Sequence, residues 1–272
     1  MASSFPTHTS RRDLTAGFGA MLLAITLFST IEVVSKWMGP AVPPLRLAFL
    51  RFFITGLVLL IPAFNILRMR MEPLGARDML ILAGLGAVGV ALSIGLYHMA
   101  IHHLQANVAA IVFSANPVFV VLFSPWILGE RVGWRKLFGV MIGLSGIAVF
   151  AVEKGGLAIG TGKGILLMLG AEITFALYSV LSKKFMPQYG AIVITCFAGL
   201  IGSLFLFPVS LALEGNPFAG MGLWVWCGVV YLAVGATAIA YIAYFYGLLN
   251  VGAARGSMFF LLKPVLASVF SG

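Results

Sequence analysis

Four ionisable side chains stand inside stretches that are otherwise apolar: Glu32 in "FSTIEVVSK", Arg51 in "LRLAFLRFFITG", Glu172 in "LGAEITFALY" and Lys263 in "MFFLLKPVLA". If such stretches lie in lipid, an ionisable group within them is costly, and it persists by pairing or by function. The chemistry open to these four is narrow. Glu32 or Glu172 can hold a proton or meet the amine of a solute, and Lys263 can attract a carboxylate. Arg51 reads as a structural ion-pairing group, and ion pairing is the alternative for the other three. Asn116 and Lys263 each stand directly before a proline, Pro117 and Pro264. A proline inside a helix frees a backbone carbonyl one turn earlier, so both sites are expected to kink helices toward a pathway. Tyr178, Tyr241 and Tyr244 are the aromatic wall candidates. Tyr241 and Tyr244 are three apart and so share a helix face.

The elements that must position these residues follow from composition. Of 272 residues, 61% are hydrophobic and 9% charged, and mean hydropathy is +1.08. A soluble domain carries about a quarter charged residues, so this chain must turn much of its surface to lipid. Stretches 16–38, 43–66, 78–98, 105–127, 134–152, 164–184, 190–213, 222–247 and 253–272 are long and apolar enough to span a bilayer as helices. Barrel strands are shorter and alternate. The breaks carry turn residues, as in "GPAVPP" and "EGNPFAG". The net charge of +9 is scattered between apolar runs, which suits membrane topology and not nucleic acid. With the N-terminus inside, Arg11, Arg12, Arg68, Arg70, Arg77, Arg131, Arg135, Lys136, Lys183, Lys184 and Arg255 fall inside. Only Lys36, Arg46, Lys154 and Lys163 fall near the outside, a positive-inside bias. Arg11 and Arg12 read as the anchor of a retained first helix, not as an export signal. Counted at about 1.5 Å per residue, Glu32, Arg51, Glu172 and Lys263 share one layer from the midplane outward. His98, His102 and His103 fall at the outer end of the third stretch, and His102 and His103 read as a solvated turn.

The chain repeats itself at an offset of 147 residues. Met21-Leu22 falls on Met168-Leu169, Phe28 on Phe175, Ser35-Lys36 on Ser182-Lys183, Tyr97 on Tyr244, Ala106 on Ala253 and Pro117-Val118 on Pro264-Val265. Five helices per repeat is an odd number, so the second half enters the membrane inverted, an architecture of secondary transporters. The expected organisation is a cytoplasmic tail at 1–15, a first repeat at 16–152, an external linker at 153–163 and a second repeat at 164–272. A full second repeat would run roughly 25 residues further, so the chain reads as a ten-helix protein lacking the end of helix nine and all of helix ten.

"ANPVFVVLFSPWILGERVGWRKLFGVMIGLSGIAV" (115–149) and "LRLAFLRFFITGLVLLIP" (45–62) resemble an EamA-type repeat of the drug/metabolite transporter superfamily. The first matches its proline-bearing fourth helix, terminal Gly-Glu and glycine-rich fifth helix. The second matches its second helix, with the arginine at Arg51. The resemblance implies ten helices, cytoplasmic termini, a cavity lined by helices 1, 3, 4, 6, 8 and 9, and export or exchange of small metabolites. The expectation is therefore an all-α integral membrane protein of the bacterial inner membrane. It would be a secondary active transporter exporting an amino-acid-like metabolite by alternating access, with protons as a coupling ion. The alternatives are uptake of a vitamin or nucleotide-like metabolite, and a non-transporting or inactive truncated protein. No metal, cofactor or enzymatic constellation is expected. "GTGKG" lacks the strand and hydroxyl residue of a phosphate loop, and the glycines from Ala83 to Gly95 read as close helix packing. Internal duplication supplies within one chain what a dimer supplies with two, so a monomer or weak homodimer is expected.

Overall fold

The computed structural model describes residues 11–69, 74–130, 132–135, 137–142, 145 and 162–271, and among them there is no strand. Backbone groups in lipid must be satisfied within their own segment, and helices do this. The helices are α1 (Arg11–Met38), α2 (Pro44–Arg68), α3 (Ala76–Gly86), α4 (Gly95–His103), α5 (Ala106–Phe113), α6 (Asn116–Leu128), α7 (Gly162–Tyr189), α8 (Ala191–Glu214), α9 (Leu223–Ala233), α10 (Ala240–Val251), α11 (Ala253–Ser257) and α12 (Lys263–Ser271). A π-helical stretch, Ala87–Ile94, joins α3 to α4, and another, Val234–Ile239, joins α9 to α10. A 3-10 stretch, Met258–Leu262, joins α11 to α12.

Together these make eight apolar spans among the described residues, each long enough to cross a membrane. Of the expected fifth stretch, residues 134, 135, 137–142 and 145 are described and helical; its remainder lies outside the described residues, as do most of the linker at 153–163 and the first ten residues. The third span runs on to His103, five residues past the expected end. That extension moves Tyr97 and His98 from an interface to the interior. Trp126 is 90% exposed. Outward Ile61, Leu80, Leu166 and Leu213 form part of an apolar exterior, which in a chain so poor in charge is the lipid-facing surface.

The offset of 147 reappears as backbone geometry. α2 starts at Pro44 and α8 at Ala191; α3 at Ala76 and α9 at Leu223; the π stretches at Ala87 and Val234; α5 at Ala106 and α11 at Ala253; α6 at Asn116 and α12 at Lys263. Packing follows the same exchange. α2 lies along its own counterpart α8, while α1 packs on α10 as α7 packs on α4. Likewise α1 meets α12 as α7 meets α6. Each half-structure is thus completed by the other, which is the contact pattern of two inverted repeats around one axis.

Close approach at the centre requires small residues. At Gly86 a Cβ would sit 2.5 Å from the carbonyl oxygen of Ala198 and 2.8 Å from the amide nitrogen of Gly202. α3 and α8 therefore touch backbone to backbone.

Candidate functional site

Three repeat-related aromatic pairs meet at the axis: Phe28 with Phe175, Tyr97 with Tyr244, and Phe113 with Phe260. Their contacts repeat across the halves. Tyr97 and Phe113 have ring centroids 5.2 Å apart, and Tyr244 and Phe260 5.6 Å. Phe113 and Phe175 are 5.6 Å apart, and Phe260 and Phe28 6.1 Å. Phe113 and Phe260 meet each other at 5.4 Å. Of these rings, Phe28, Tyr97, Phe113, Phe175 and Phe260 line a cavity of about 20 Å³, together with Arg51, Tyr241 and Lys263. That is room for about one water.

The span around Pro117 and the span around Pro264 are both interrupted just before the proline. Ser114 and Ala115 form a turn between α5 and α6, and the 3-10 stretch precedes α12. The breaks face each other, for Ser114 Oγ donates to the carbonyl oxygen of Phe260 at 3.1 Å. Each broken helix restarts with a polar residue, Asn116 in one half and Lys263 in the other. Both are buried.

Lys263 Nζ lies 2.5 Å from Glu32 Oε1, with side chains 1% and 0% exposed. The ammonium also sits 3.8 Å from the Phe113 ring centroid and 5.2 Å from that of Tyr97. An ammonium held by a carboxylate and two ring faces is well placed electrostatically. Glu172 is buried beside Asn116 and within electrostatic reach of Lys263 and Glu32. Neither of its oxygens has a hydrogen bond of standard geometry among the described residues. The structure thus gathers Glu32, Glu172, Lys263 and Asn116 at one place.

Arg51 departs from its expected ion pair. Its Nε donates to Thr237 Oγ1 at 2.9 Å and its Nη1 meets His98 Nε2 at 3.1 Å. Among the described residues no carboxylate lies within salt-bridge distance of it. The π stretch explains the substitution. It lets Thr237 Oγ1 donate to the carbonyl oxygen of Leu232 at 2.7 Å and so turn an acceptor toward Arg51. Thr55 takes up the next carbonyl, Ala233, at 2.7 Å. Of the tyrosines, Tyr241 faces the cavity and Tyr244 belongs to the aromatic cluster. Tyr178 packs behind, its ring against Tyr241 at 6.3 Å and filling the space over Gly89.

The two faces of the molecule differ. At the C-terminal end of α1, a cleft of about 240 Å³ is lined by Ser35, Lys36, Leu47, His98 and His102. At the opposite face, Lys183, the repeat counterpart of Lys36, forms a salt bridge with Glu130. The amide of Ala253 also donates to Glu130 Oε1, at 3.2 Å. Gly252, with φ of +95°, makes the turn that aims this amide. Burial alone would raise the Glu130 pKa, but Lys183 and the backbone amides of Ala253 and Ala254 outweigh it and hold it below the usual carboxylate value.

The sequence profile of the EamA-like transporter family matches residues 15–152 and 162–272. An uncharacterized transporter of Clostridium kluyveri is 29% identical over 94% of this chain and 84% of its own length. A protein of Streptantibioticus cattleyicolor named probable terminal-alkyne amino-acid exporter is 28% identical over 92% of this chain and 85% of its own. The uncharacterized inner membrane transporter YedA of Escherichia coli is 29% identical, over 94% and 82%. A solved crystal structure superposes with a TM-score of 0.71 at 24% identity, covering 95% of this chain and 86% of the other, and shares the fold.

Proposed function

Because the chain belongs to the EamA-like transporter family, we propose that it exports a small amino-acid-like zwitterion across the bacterial inner membrane by alternating access. The N-terminus lies on the cytoplasmic side in this reading. The observation that carries the proposal is the buried Glu32–Lys263 pair inside the aromatic cluster. A zwitterion bears the same two charges. Its ammonium replaces Lys263 at Glu32, and its carboxylate replaces Glu32 at Lys263, so no charge is left bare in lipid at any step. The ring faces take the solute's apolar part. Glu172, which has no cation within salt-bridge distance among the described residues, is the group that exchanges a proton with each cycle.

The cavity of about 20 Å³ is far below the roughly 300–1,000 Å³ of small-molecule sites. Loading therefore requires the two repeats to part. The asymmetry of the two faces, one latched by Glu130 and Lys183 and one carrying a cleft, supports rocking of one half against the other. The name of the Streptantibioticus relative supports both the direction and the solute class.

The test is mass-spectrometric profiling of the medium of cells expressing the chain, its Glu32→Gln and Lys263→Gln variants, or an empty vector. Compounds bearing both an amine and a carboxylate should accumulate with the wild type and fall to vector level with either variant. Accumulation of compounds lacking one of these groups, or variants that export normally, would overturn the reading. Depletion from the medium would reverse the direction.

A further inference from the structure

The cleft at the C-terminal end of α1 is lined by donors. Arginine has no acceptor, so in the contact between Arg51 Nη1 and His98 Nε2 at 3.1 Å the ring nitrogen must accept. The proton of His98 then sits on Nδ1. His98 is fully buried and lines the cleft, yet among the described residues Nδ1 has no hydrogen-bond partner. Buried N–H donors without acceptors are rare and call for an explanation. Ser35, on the cleft wall, likewise has a buried Oγ without a partner among the described residues. Lys36 adds an exposed ammonium on the same wall. Among the described residues no acidic side chain lines the cleft. Glu32, a turn away on α1, is taken by Lys263.

We infer that this cleft is an anion site that takes the carboxylate of a small solute, separate from the aromatic cavity. One carboxylate oxygen accepts from His98 Nδ1–H and the other from Ser35 Oγ–H, with Lys36 supplying charge. Such charge-assisted bonds are the stronger kind. His98 has a second consequence. It joins the cleft to Arg51, which lines the central cavity, so the carboxylate has a cationic group waiting behind the first. That role as a station on the path rests on the transport reading; the anion site itself rests on the donors alone.

Binding is tested on the full chain in phosphatidylcholine nanodiscs, by saturation-transfer NMR with acetate as probe and methylammonium as its cationic control. Acetate should receive transfer and methylammonium should not. Ser35→Ala should weaken acetate roughly ten-fold, the loss of one hydrogen bond to a charged group, and Lys36→Gln should weaken it about two- to five-fold, the loss of one exposed charge, while Lys36→Arg retains it. Lys36 is exposed, so its variants keep the fold even where a His98→Phe variant does not. Equal transfer to methylammonium, no transfer to acetate, or an acetate titration indifferent to Lys36→Gln would each overturn the site. The titration is repeated in phosphatidylglycerol nanodiscs. Retained transfer supports a solute site. Lost transfer means that an anionic membrane excludes acetate from the cleft, by its headgroups taking the donors or by its surface charge, and the solute assignment falls. None of these outcomes depends on whether the chain moves an amino acid.

Discussion

At the scale of single residues, the energetics centre on Glu32 and Lys263. Both are buried and 2.5 Å apart, so removing either partner strands a charge. Breaking such a pair costs about 3–5 kcal/mol, whereas removing both partners is close to neutral. Glu32→Gln and Lys263→Met should each lower thermal stability in detergent by that amount, and the double variant should recover more than half of the loss. Additive losses would show that the pair is not coupled. All three variants should fail to export. Both residues are visible in the sequence, because charge inside an apolar run stands out. Their pairing is not, because it depends on how α1 and α12 cross. Arg51 is visible for the same reason, but its partners are not. Thr237 and His98 are ordinary polar residues in sequence, and only the longer third span buries His98. One signal is present: the offset of 147 sets His98 against Phe245, which is fully buried. A histidine facing a buried phenylalanine in the other half marks a polar group placed inside.

At the scale of elements, the paired start positions of helices show why the repeat is legible. Prolines and Ser-Lys steps recur in the sequence at one offset, and helix starts obey it. The two π stretches are not legible, because an extra residue per turn leaves no side-chain signature and only tertiary packing selects it. The glycines around the first, from Ala83 to Gly95, read as packing in the sequence, and Gly86 and Gly89 do pack closely. A Cβ on Gly202 would lie 2.6 Å from Val90 Cβ and 2.9 Å from the carbonyl carbon of Gly86. These atoms belong to the π stretch and its junction, which cannot retreat without parting α8 from the third span. Gly202→Ala should therefore cost about 1–3 kcal/mol, as overpacking does. Gly84 lies on the same helix as Gly86, and a Cβ added there would meet nothing within 4 Å. Gly84→Ala should be neutral or stabilising by up to about 1 kcal/mol. Thermal unfolding of the two variants side by side checks the contrast. Equal effects would mean that the backbone contact between α3 and α8 does not limit stability.

At the scale of the whole molecule, the two halves share a design but stand in different states. Lys36 lines a cleft, while its counterpart Lys183 is locked to Glu130 and the start of α11. If the halves rock, this lock must open, and its strength sets how long that face stays shut. The pKa of Glu130 is depressed in the closed state. A depressed carboxylate pKa stabilises the closed state above the unperturbed value, and the contribution is lost as pH falls through the depressed one. Closure should thus be constant near neutral pH and fail only under acid conditions below the usual carboxylate range. Ser257 is buried one turn inside the lock, so Ser257→Cys in a chain with Cys196 and Cys227 replaced by serine reports opening through its labelling rate. Loss of one hydrogen bond to a charged group is worth about 1.5–3 kcal/mol. Lys183→Gln should accordingly label roughly 10–100-fold faster at neutral pH, and acidification should bring the wild-type rate toward that of the variant. A labelling rate that ignores both Lys183→Gln and acid would show that the lock does not hold this face closed. Rocking would then have to be governed by the broken helices at Pro117 and Pro264.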